Sequence, residues 1–101
     1  MNSILHTNIT GLQKLCESHK VAKMYAFGSV CSDRFDAKSD IDLLITFKRM
    51  SYASYADNYF DLKEKLEKLF SREVDLVSEH TIKNPFLAKT INATKTLIYE
   101  G

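Results

Sequence analysis

The sequence has little that would carry it away from an ordinary folded domain. No apolar run approaches the length needed to cross a bilayer. Residues Met1 to His6 lack the basic start and long apolar core of a secretory leader. The cysteines, Cys16 and Cys31, are not in a metal-ligand spacing, and two of them do not make a disulfide framework. A reduced, cytoplasmic setting is the expectation. Charge of one sign is not in excess either. Lys and Arg total 14 against 13 for Asp and Glu, a net of +1, so no strong electrostatic grip on nucleic acid is expected. Repeats, low-complexity tracts and linkers are missing too. At 101 residues the chain is expected to be one domain, 1–101, with a real core but little spare chain for a second substrate-binding lobe.

What is present alternates between helical and strand patterns. Ile9, Leu12, Leu15 and Cys16 share one helical face and predict a helix over 8–19, capped by Thr7 or Asn8. His19 at its end reads as a polar surface residue. Val21 to Phe27 reads as a strand, and 29–34 as one or two helical turns. A second strand runs from Asp40 to Phe47. Tyr52, Tyr55 and Tyr59 lie on one face of a long helix that continues through Leu62, Leu66 and Phe70. That aromatic stripe reads as packing or partner contact rather than nucleotide stacking. Arg72 to Ser78 is a third strand. Asn84 and Pro85 start another helix, with Phe86, Leu87, Thr90 and Ile91 on its inner face. Thr94 to Glu100 closes with a strand. The class is α/β or α+β, about four strands layered with helices. The short link between the first two strands is too short for a parallel crossover, so the sheet is expected to be mixed.

One stretch carries chemistry. Asp40 and Asp42 stand two apart at the head of an apolar run, so on a strand both carboxylates face one way, about 7 Å apart. Ile41, Leu43, Ile45 and Phe47 face the other way. Two carboxylates on one side call for a cation or a shared proton. Hard oxygen ligands suit Mg²⁺, which takes one or two carboxylates plus substrate phosphates. Gly28 and Ser29 follow the first strand. Glycine lets backbone approach a ligand, and free amides with a serine hydroxyl at a helix start make a phosphate site. A phosphate cradle beside an acidic metal site points to a nucleoside triphosphate with Mg²⁺.

The pattern Gly-Ser, ten residues, then Asp-x-Asp resembles the nucleotidyltransferase superfamily of DNA polymerase beta, and at this size its minimal nucleotidyltransferase branch, antitoxin-type members included. The resemblance implies a third carboxylate on a later strand. Asp75 in the run Arg72 to Val77 matches that position, with Glu73 on the same strand face as the fallback. It implies transfer of AMP, or another nucleotide, from a triphosphate. Gly28 and Ser29 would hold the β- and γ-phosphates. Asp40 and Asp42 would bind two Mg²⁺ about 3.5–4 Å apart. Asp75 would complete the second ion's shell and help deprotonate an acceptor hydroxyl. Many members carry Ala-Arg-Gly shortly after Gly-Ser; here Cys31-Ser32-Asp33 stands there, so Arg34 or Lys38 would make the phosphate contact. The resemblance also implies a HEPN-domain partner, adenylylated by its antitoxin, and leaves self-association open.

Two rivals remain. One is a binding module that neutralises a HEPN partner by contact and keeps only a vestigial site. The other is a different Asp-x-Asp enzyme. Haloacid-dehalogenase phosphatases usually place a hydroxyl or small group where this chain has Leu44.

Overall fold

The computed structural model describes residues 3–31 and 39–101. Strand β1, Val21–Phe27, pairs antiparallel with β2, Ile41–Phe47; Tyr25 faces Leu44 and Phe27 faces Asp42. Strand β3, Val74–Ser78, runs parallel to β2 on its other side, with Asp42 opposite Asp75. Strand β4, Thr96–Glu100, runs antiparallel to β1. The order β3-β2-β1-β4 makes the mixed four-stranded sheet expected.

Strand alternation sorts the residues onto two unequal faces. Met24, Ala26, Ile41, Leu43, Ile45, Val74 and Leu76 point into the main core. Three helices cover that face. Helix α2, Ile9–Ser18, contributes Leu12 and Cys16, and α3, Tyr52–Phe70, contributes Leu62, Leu66 and Phe70. The short α1, Ser3–Thr7, adds buried Leu5; no helix was expected there. Gly11 lets α2 and α3 come together, since a Cβ there would stand 2.8 Å from Leu69 Cδ1. Ser51 caps α3, its side chain accepting from Ser54 N–H at 3.3 Å, and Ser71 ends it in the left-handed region. Burial raises the Cys16 thiol to about 12, so it is an inert packing group.

The other face carries a smaller apolar patch, Phe27, Leu44 and Ile91 with Tyr25, Val77 and Ile82 around them. Helix α4, Pro85–Thr94, lies here, started by Asn84 accepting from Phe86 N–H at 2.9 Å. Its expected inner face is only partly right. Ile91 is buried, but Phe86 is 81% exposed, Leu87 38%, and Thr90 is exposed. Beneath this ten-residue helix the buried patch is only Phe27 and Leu44, enough to cover one side chain, Ile91. The tyrosine stripe is split as well. Tyr55 and Tyr59 stack at 6.5 Å and bond Ser78 and the Leu76 carbonyl, whereas Tyr52 lies in the open.

His19 corrects the surface reading: it is buried. Its Nδ1 is 2.7 Å from the Leu15 carbonyl oxygen and its Nε2 2.6 Å from Asp61 Oδ2. Nδ1 also lies 2.9 Å from Ser18 Oγ, and through these contacts the ring pins α2 to α3. Hydrogen bonds from Lys65, then from His19, hold the Asp61 carboxyl below its ordinary range. His19→Ala is expected to cost about 1–3 kcal/mol, read as a lower urea midpoint at unchanged slope. An unchanged midpoint would mean the pin carries no stability.

Candidate active site

The carboxylates are placed by the strands that carry them. Ile41 and Leu43 are fully buried in the core, which turns Asp42 onto the opposite, lightly covered face. Asp40, two residues earlier, precedes the strand with the same parity. Its backbone is strapped on either side. The Arg72 guanidinium donates to the Ser39 carbonyl at 3.0 Å, and Ile41 N–H donates to the Glu73 carbonyl at 3.1 Å. Val74 and Leu76 are buried, so Asp75 faces the same way as Asp42, its register partner on the adjacent strand.

The three charges feel one another. Burial, then the charges of Asp75 and Asp40, push the Asp42 carboxyl up from 3.8 to about 6. An acid so placed is poorly served by water and by its neighbours, and a hard divalent cation would relieve it. The donor types, Asp42 and Asp75 on adjacent strands with Asp40 just ahead of β2, are the hard oxygen ligands that suit Mg²⁺. Among the described residues no three acidic, histidine or cysteine side chains are gathered tightly enough to enclose one ion as they stand.

The Gly28 turn meets the carboxylates directly. After β1 the chain enters a 3₁₀ turn, Gly28–Cys31; the rest of the helical turns expected over 29–34 lies outside the described residues. Gly28 has φ +72°, and a Cβ on it would lie 2.5 Å from Asp42 Oδ2. Only glycine can turn here without striking the carboxylate. Gly28 N–H donates to Thr94 Oγ1 at 3.1 Å. Ser29 sits next in this turn, half-buried. Cys31 is half-buried, its Sγ 3.8 Å from Thr96 Oγ1. Arg34 and Lys38, the expected phosphate contacts, lie outside the described residues. Glu73 is exposed just ahead of β3, and His80 lies in an exposed turn against the Tyr55 ring, 5.6 Å away. Arg72, Thr94 and Lys95 join the site's surroundings without a signal in the motif, because their contacts cross the fold.

The description "polymerase beta, nucleotidyltransferase" matches residues 11–101, nearly the whole chain. The chain belongs to that family. Two Methanocaldococcus jannaschii proteins, each described as a candidate protein adenylyltransferase, are similar to this nucleotidyltransferase. One is 35% identical over 85 residues, covering 84% of this chain and 82% of the relative. The other is 37% identical over 86 residues with the same coverage. A solved candidate minimal nucleotidyltransferase superposes with TM-score 0.68 at 26% identity, covering 95% of both chains. A toxin-antitoxin structure with AMP-PNP shares the fold, with TM-score 0.71 at 21% identity over 93% of this chain and 74% of the other. No helix of the described nucleotidyltransferase is long and apolar enough to cross a membrane.

Proposed function

We propose that this nucleotidyltransferase moves AMP from ATP to a hydroxyl on a partner protein. The observation that carries the reading is the alignment of Asp42 with Asp75 on one sheet face, with the Gly28 turn pressed against Asp42. The adenylyltransferase description of relatives at 35% and 37% identity supports the choice of AMP. Gly28 and Ser29 bring backbone against the triphosphate. Asp40, Asp42 and Asp75 would hold Mg²⁺, which would neutralise charge on the phosphates. Asp75 accepts the proton of the acceptor hydroxyl as its oxygen bonds to the α-phosphorus. The bond to the β-phosphate oxygen breaks and pyrophosphate leaves. The chain's contribution is position and fixed charge.

The acceptor sits on a HEPN-domain protein in this reading. A solved Shewanella oneidensis complex of an AMPylated HEPN toxin with its antitoxin has the same fold, with TM-score 0.65. Tyr52 and Phe60, both exposed on α3, offer apolar contacts to such a partner. A second reading, neutralisation by contact alone, draws on the Gly28 amide already being engaged by Thr94.

Labelled ATP, Mg²⁺ and a candidate HEPN-domain protein separate the two. Label is expected on the partner with the native chain and on neither protein with Asp40→Asn plus Asp42→Asn. Full neutralisation by the double variant without any label would favour contact alone.

A further inference from the structure

Lys95 follows α4, and no motif singles it out. The junction it occupies is pinned to the Gly28 turn at two points. Gly28 N–H donates to Thr94 Oγ1 at 3.1 Å, and Cys31 Sγ lies 3.8 Å from Thr96 Oγ1. Lys95 stands between those threonines, and its own N–H closes the helix on the Ile91 carbonyl at 2.8 Å. Its ammonium rests over the Tyr25 ring, 4.9 Å from the centroid.

That ring lies on the carboxylate face. Tyr25 packs with Phe27, Leu44 and Ile91, and its register partner Leu44 stands two residues beyond Asp42. One strand repeat, about 7 Å, separates the Leu44 row from the Asp42 row. A lysine stem spans most of that distance by changing rotamers. Lys23, farther along the same strand, is already paired with Glu100 at 3.5 Å. Among the described residues Lys95 has no carboxylate within ion-pair distance; its partner is an aromatic face, which holds an exposed cation weakly.

A triphosphate entering this face meets three carboxylates of its own sign. It needs positive charge from the protein as well as from metal, and a lysine ammonium is a mobile point charge suited to phosphate. We propose that Lys95 is a nucleotide-binding residue whose ammonium leaves Tyr25 to meet the triphosphate beside the Gly28 turn. The proposal rests on the nucleotidyl-transfer reading and deepens it: the α4–β4 junction becomes one wall of the nucleotide site.

The test is calorimetric titration of the whole chain with AMP-PNP and Mg²⁺, beside Lys95→Gln and Lys95→Arg. Lys95→Gln is expected to weaken binding by about tenfold or more, the loss of one charge-assisted contact. Lys95→Arg is expected to stay within about threefold of native, and both variants should melt as the native chain does. If the native chain binds and Lys95→Gln binds equally, the Lys95 assignment fails while the nucleotidyl-transfer reading stands. A Lys95→Gln melting temperature that falls with its affinity, and is not restored by arginine, would make Lys95 structural and also overturns the assignment. If the native chain binds no AMP-PNP, the reading itself falls and takes the assignment with it.

Discussion

Asp42→Asn is expected to lower nucleotidyl transfer by about 10³-fold and, at pH 7 without metal, to raise the melting temperature. The first effect follows from removing a charged ligand at the centre of the carboxylate face. The second follows from the cost of that charge. In the folded chain the Asp42 carboxyl titrates near 6, against an ordinary 3.8. Between those values the folded state holds a proton that the unfolded chain has released. Stability from this group is therefore highest below about pH 4 and falls as pH rises towards the folded value near 6. Unscreened, a shift of that size corresponds to about 3 kcal/mol. Asp42 is half-exposed, and solvent reduces the figure to about 1 kcal/mol. For a domain of this size that is roughly 4–8 °C in melting temperature. Asparagine has nearly the same shape and no charge, so it escapes the cost. Calorimetric melting from pH 4 to 8 checks the claim. The native and variant curves should meet at the acid end and separate above pH 5, with Mg²⁺ raising the native midpoint alone. Curves that stay parallel across the range would remove the electrostatic cost from Asp42.

Much of this site was legible because strand geometry is simple. A period of two places Asp40 and Asp42 together, and burial of Ile41 and Leu43 says which way they face. Alternation alone groups Glu73 with Asp75 on one strand face, and the choice of Asp75 comes from its mid-strand place and the family resemblance. What stayed hidden depends on contacts distant in sequence. Nothing local says that His19 will meet Asp61, 42 residues on, and be buried by it. Nothing local says that Gly28 will give its amide to Thr94, 66 residues on. The spacing of Phe86, Leu87 and Ile91 shows which residues share a helical side. It cannot show how much sheet lies beneath them, and here the patch is too small for the first two. Helix α1 is five residues long, too short for periodicity to reveal.

Gly28→Ala is expected to damage activity far more than stability, and the reason is geometric. At φ +72° any L side chain is strained, at roughly 1–2 kcal/mol. The new methyl would also arrive 2.5 Å from Asp42 Oδ2, closer than real contacts allow. Both residues sit at the paired ends of adjacent strands, Phe27 opposite Asp42, so the backbone cannot easily spread. The carboxylate must swing away instead. A displacement of about 1 Å at a reacting centre can lower a rate by about 10²-fold. Pairing Gly28→Ala with Asp42→Ala isolates the clash, because Asp42 Cβ lies 3.7 Å from the added methyl, an ordinary contact. In the Asp42→Ala background the stability penalty of Gly28→Ala should shrink to its backbone part, giving a coupling of about 1 kcal/mol in a denaturant cycle. Additive penalties would show that the turn makes no room for the carboxylate, and the link between the Gly28 turn and the acidic face would be lost.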